Sequence, residues 1–179
     1  MTSTSASDLA DSLRSLSVST SLSKLPKDVY LCDTKASFSE GIAQLKAYRT
    51  LVLDCEGEEL GAVGGAVSLI VVRGIPELLS SETAKTFLFD IVQLASDECV
   101  VQPLLDMLSS LTIRKVVYDG RMDYCAIWFG YGTAMRNVID LQVVEIKRRI
   151  SSPGYQKRLM AVYGPHVVNN HRMRGKRYI

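Results

Sequence analysis

Asp54 and Glu56 close the apolar run Leu51-Val52-Leu53 with one residue, Cys55, between them. In a strand, alternate side chains share a face, so the two carboxylates project together where the strand exits. No lysine or arginine stands directly beside them, and two such acids repel unless a proton or a hard cation sits between them. A second acidic group, Tyr118-Asp119-Gly120-Arg121-Met122-Asp123, follows another apolar pair, Val116-Val117. Hard oxygen donors arriving from two strand ends make a divalent-metal site the first expectation. The competing reading is a set of caps and solvated turns. Asp119 and Asp140 suit that second reading, since Asp119 can cap the helix holding Asp123 and Asp140 the helix starting at Leu141. Asp123 falls in a first helical turn, where the helix dipole favours a carboxylate with or without metal. Arg121 stands ready to pair with one of these acids or with a substrate phosphate.

Such a site needs strands that end together. Apolar periodicity and turn residues predict strands over 29–32, 50–54, 66–72, 86–91, 115–118 and 138–140. Helices are expected up to Tyr48, with Asp33 or Ser37 as cap, and over 100–111, 121–129 and 141–150. Residues 57–65 read as a turn. Three meandering strands followed by alternating helix and strand indicate an α/β domain whose mixed sheet is covered by helices. The Asp54 strand would lie centrally beside the Tyr118 strand, so that both acidic groups meet at one edge of the sheet. Tyr124, Trp128, Phe129 and Tyr131 read as core and helix-end packing.

With 179 residues and 47% apolar content, the chain suits one well-packed domain. No apolar run reaches the eighteen or so residues of a membrane span, and nothing resembles a secretory or transit segment. Cys32, Cys55, Cys99 and Cys125 stand singly, which suits reduced thiols in the cytosol or nucleus. Residues 1–23 hold nine serines and three threonines and are expected to be disordered. The net charge of +2 conceals an asymmetry. All 19 acids lie at or before Glu145, whereas residues 147–179 hold nine lysines and arginines, Lys157 and Arg158 among them. An acidic core beside a basic tail suits metal coordination plus a polyanionic partner. The expected organisation is a serine-rich segment over 1–27, a domain over 28–150 and a basic tail over 151–179.

Asp54-Cys55-Glu56-Gly57, the strand Ser68-Leu69-Ile70, Lys115 to Asp123, and Val138-Ile139-Asp140-Leu141-Gln142 follow one another in a familiar order and spacing. Together they resemble the 3′–5′ exonuclease domains of the DEDD superfamily, most closely the ribonuclease D-like branch that includes Egalitarian-type proteins. The resemblance covers roughly residues 28–150. It implies a ribonuclease H-like mixed sheet of five to six strands flanked by helices. It also implies that Asp54, Glu56 and Asp123 bind Mg²⁺ or Mn²⁺ for phosphodiester hydrolysis by the two-metal mechanism. Leu60 falls where the family places an apolar residue against the terminal base; packing on the core is the alternative for it. The implied partner is the 3′ end of RNA or DNA; beyond the resemblance, the charge of the basic tail, Lys157 and Arg158 included, suits added non-specific phosphate contacts. A non-catalytic RNA-binding or protein-interaction module is the alternative function.

The family's third motif supplies a fourth acid as Tyr-x-x-x-Asp or His-x-x-x-Asp, and here the sequence departs. Tyr155 is followed four residues later by Leu159, Tyr163 by Val167 and His166 by Asn170. A truncated exonuclease or a degenerate relative that binds without cutting are the two readings of that gap. His166 and His171 lack a cysteine nearby to complete a zinc site. The glycines at 57, 61, 64 and 65 lead to no Gly-Lys-Ser/Thr, so they make a hairpin turn rather than a phosphate loop. No nucleophile elbow supports Ser/His/Asp chemistry.

Overall fold

A computed structural model describes residues 25–94 and 98–163. The expectations for the serine-rich segment over 1–24 and for His166 and His171 lie outside the described residues. The elements are β1 (Val29–Cys32), α1 (Lys35–Leu45), β2 (Thr50–Glu58), β3 (Ala66–Ile75), β4 (Lys85–Asp90) and α2 (Ile91–Leu94). There follow α3 (Glu98–Ser109), β5 (Arg114–Val117), α4 (Arg121–Tyr131), β6 (Val138–Asp140), α5 (Leu141–Ser151) and α6 (Pro153–Tyr163). The strands form one mixed sheet of six in the order β1-β4-β3-β2-β5-β6, with β2 central and beside β5 as expected. β2, β3 and β4 pair antiparallel, while β1–β4, β2–β5 and β5–β6 are parallel. Among the described residues no helix is long and apolar enough to cross a membrane.

Alternation along β2 sorts the sheet into two faces. Leu51, Leu53 and Cys55 are buried, and their partners Gly74, Val72 and Ile70 on β3 continue the same face. Phe87 and Phe89 of β4 extend it, and Phe38 of α1 packs on Phe89 with ring centroids 4.6 Å apart. Leu104, Leu105 and Leu108 of α3 and Ile127 of α4 complete the core. Residues of the opposite parity face away from it. Leu31, Leu88, Val71 and Asp54 align in one row across β1, β4, β3 and β2. These apolar residues are half-buried, and Val52 beside them is 37% exposed.

Three local details differ from the sequence expectation. α1 is capped by Thr34, whose hydroxyl accepts from the Ser37 N–H while the Ser37 hydroxyl accepts from the Thr34 N–H. This reciprocal capping box makes Ser37 the third helical residue rather than the cap. β2 runs on to Glu58, well past Asp54, and its register shifts between Glu56 and Gly57. A Cβ at Gly57 would lie 2.0 Å from the Ala66 carbonyl oxygen, so glycine permits this bulge and the 57–65 turn shrinks to its tip. The segment expected as a basic tail begins with α6, which packs on α5.

The aromatic run also departs from expectation. Tyr124, Trp128 and Phe129 are 38%, 47% and 48% exposed, and of the four only Tyr131 packs against the core. α4 presents Asp123, Ala126 and Ile127 inward, and at about 100° per residue Trp128 and Phe129 fall on the far side of the helix from their mean direction.

Lys115, which the sequence marks only as part of a strand, is fully buried. Its Nζ donates to the carbonyls of Ser110 at 2.6 Å, Ile113 at 2.7 Å and Met107 at 3.3 Å. The ammonium thus takes carbonyls at the end of α3 and in the segment that leads into β5, and its charge opposes the negative end of that helix.

Candidate functional site

The site forms where β2 outruns β5. Pairing between them ends at Val52 and Val116, which leaves the β5 side of β2 open from there on. Asp123, in the first turn of α4, fills that gap: its Oδ1 accepts the Cys55 backbone N–H at 2.9 Å. A residue 68 positions away in sequence is thereby joined to the strand between Asp54 and Glu56. The two acidic groups meet as their sequence positions suggested.

Asp54 and Glu56 share the exposed face of β2, with the buried Cys55 between them pointing the other way. Asp123 is only 5% exposed. Burial pushes its carboxyl above the ordinary aspartate value, the Cys55 N–H pulls it back, and the Asp54 charge pushes it up again. The Cys55 thiol is raised as well, by burial first and then by the charges of Asp123, Asp54 and Glu56. Tyr131, on the same helix as Asp123, has its phenol raised by burial and by Cys55.

Asp140 holds the second cluster in place. Its carboxylate caps α5 as expected, accepting from Gln142 N–H at 2.8 Å and Val143 N–H at 3.4 Å. It also accepts from the N–H groups of Asp119 and Gly120, at 3.2 Å and 3.1 Å. Burial raises its pKa, but these four backbone donors outweigh that and hold it below the ordinary value. Asp119 itself does not cap α4; the cap position is Gly120, with no side-chain bond. Asp119 adopts a φ of 54°, a left-handed conformation that aspartate tolerates, and its carboxylate takes Arg121 Nε at 3.0 Å. Asp140 serves the turn in its stead.

Of the other sequence candidates, Arg121 is exposed and paired with Asp119. Leu60 is half-buried and packs against the core at the β2–β3 turn. Beside it Gly61, at φ +78°, lies so close to α4 that a Cβ would come within 2.9 Å of Met122 backbone atoms, one residue before Asp123. Lys157 and Arg158 are exposed on α6.

Three carboxylates with hard oxygen donors suit Mg²⁺ or Mn²⁺ chemically. Among the described residues, however, no three His, Cys, Asp or Glu side chains are gathered as a ready cage. Asp123 is held at the strand's edge by the Cys55 amide, while Asp54 and Glu56 stand on the open face, so chelation by all three requires side-chain rotation.

By sequence alone, no family model matches the chain and no curated relative is similar to it. Solved structures are similar in fold. Trypanosoma brucei RNase D in complex with RNA U12 is 26% identical with a TM-score of 0.55, over 76% of this chain and 47% of that one. The EXD2 exonuclease domain soaked in Mn and GMP is 20% identical with a TM-score of 0.55, over 70% of this chain and 62% of that one. The Aedes aegypti Nibbler EXO domain is 16% identical with a TM-score of 0.56, over 69% of this chain and 58% of that one. The chain spans less than half the length of the RNase D structures it matches. The mixed six-stranded sheet flanked by helices is the ribonuclease H-like fold of these exonuclease domains.

Proposed function

We propose that the chain is a metal-dependent 3′–5′ exonuclease domain acting on nucleic acid, of the ribonuclease D-like kind, with Asp54, Glu56 and Asp123 as ligands of Mg²⁺ or Mn²⁺. One observation carries the reading: acids from two distant segments converge on Cys55, joined by the Asp123–Cys55 bond. The Asp-Cys-Glu-Gly first motif supports the Egalitarian-type branch within that kind. A bound divalent ion would supply water activation and charge stabilisation at the leaving oxygen. The chain's own residues do the positioning. The Cys55 N–H orients Asp123, Asp140 fixes the turn that carries it, and the open face leaves Asp54 and Glu56 accessible to a phosphodiester. The four cysteines are unpaired, which supports a reducing compartment, cytosol or nucleus.

A second reading is a non-catalytic nucleic-acid-binding or protein-interaction module on the same fold. It is favoured by the lack of a ready three-acid cage among the described residues. Calorimetric titration with Mn²⁺ tests the first reading. Saturable binding is expected for the wild type and lost in Asp54→Ala and Asp123→Asn; asparagine keeps an acceptor for the Cys55 N–H, so loss there reports the charge. Shortening of 5′-labelled RNA or DNA from the 3′ end, abolished by Asp54→Ala, then establishes the exonuclease. A folded protein that binds no Mn²⁺ and leaves the strand intact overturns it in favour of the second reading.

A further inference from the structure

The junction of α5 and α6 carries a cleft of about 490 Å³ lined by Glu145, Arg148, Arg149, Ser152, Tyr155 and Arg158. Arg149 is paired with Glu145 one helical turn back. Arg148 and Arg158 have no acidic partner among the described residues. Arginines in the last turn of α5 are accounted for by the helix dipole, which favours cations at that end. Arg158 is not: it comes from α6 and adds a third guanidinium to the same cleft. Three guanidiniums against one carboxylate leave the cleft with a net positive charge that a bound anion would relieve. The guanidinium fork matches phosphate oxygens in pairs, and Tyr155 puts into the same lining an aromatic ring of the kind on which bases stack.

We propose that this cleft is a second nucleic-acid subsite, gripping a phosphate of a single strand away from the carboxylates. The choice of nucleic acid as occupant rests on the function proposed above. Arg148 lies eight residues along α5 from Asp140, about 12 Å at about 1.5 Å per residue. β6 lies two strands from β2, ~10 Å across the sheet. The cleft includes no acid of β2, so an oligonucleotide long enough to reach both places should bind more tightly than one that fills the cleft alone. Binding in the cleft needs neither a metal ion nor a 3′ hydroxyl, because no carboxylate of β2 takes part.

The test uses the full chain and a 5′-fluorescein single-stranded oligouridylate in EDTA, followed by anisotropy over a range of salt. With divalent ions absent, failure of the exonuclease reading leaves this measurement intact. Arg148→Ala/Arg158→Ala should weaken binding about tenfold or more and flatten the plot of log affinity against log salt by about 0.7, for the one phosphate no longer neutralised. Glu145→Gln, which removes the cleft's one acid, should tighten binding. Unchanged affinity and salt slope in the double arginine variant would overturn the proposal. So would arginine-dependent capture by phosphatidylserine vesicles with no binding of the oligonucleotide.

Discussion

Lys115 sets a pH dependence that its place in a strand gave no reason to expect. Burial pushes its pKa from the ordinary 10.5 down to about 8. Between those values the unfolded chain holds more protons than the folded one, so stability rises with pH. Across pH 8 to 9 the gain should be about 1 kcal/mol. From about pH 8 upward the Cys32 thiol, raised to about 11 by burial and by Asp33, and the Cys55 thiol, raised by burial and the nearby acids, work in the opposite direction. Urea unfolding at pH 8 and 9 should therefore show the wild type gaining about 1 kcal/mol relative to Lys115→Met, in which the thiol effects are the same. That the acids of β2 and α4 would meet was legible because each group directly follows an apolar strand run and the two strands were expected side by side. Lys115 was not, because the carbonyls it serves lie at the end of another element.

Among the elements, Asp140 links most with least. One carboxylate closes the start of α5 and the turn before α4. Asp140→Ala should cost about 2 kcal/mol, the upper range for a lost cap, with Asp140→Asn milder. Hydrogen exchange should speed up together at Asp119, Gly120 and Gln142, because a single acceptor serves all three amides. Element order and type were readable from periodicity, while the ends were set by details that periodicity does not encode. β2 overran its expected end because the Gly57 bulge lets pairing with β3 resume beyond the acids. The cap of α1 fell on Thr34 because two hydroxyls three residues apart satisfy each other's amides, which neither Asp33 nor Ser37 alone would do.

For the molecule as a whole, the two faces of the sheet differ in what they tolerate. Leu53 is 2% exposed within the core and Val52 is 37% exposed on the other face. Leu53→Lys should prevent folding, since a charge there has no partner, whereas Val52→Lys should cost less than about 1 kcal/mol. Thermal melts of the two variants check this, and equal damage would mean that the faces are assigned wrongly. The order β3-β2-β5 followed from the sequence because antiparallel hairpins and a helix crossover each have few solutions. The arginine cleft did not, because Arg148 and Arg158 lie on two separate helices whose junction at Ser152 periodicity does not mark.

The bond from Cys55 N–H to Asp123 Oδ1 equips the site with its own spectroscopic probe. An ion that drew electron density from Asp123 would weaken that acceptor, and the Cys55 amide resonance would move in proportion to occupancy. In a ¹⁵N-labelled sample titrated with Mg²⁺, that peak should shift first among the β2 amides. It should stay still in Asp54→Ala. A diamagnetic ion could thus be followed at a single amide, with no substrate present and no turnover needed.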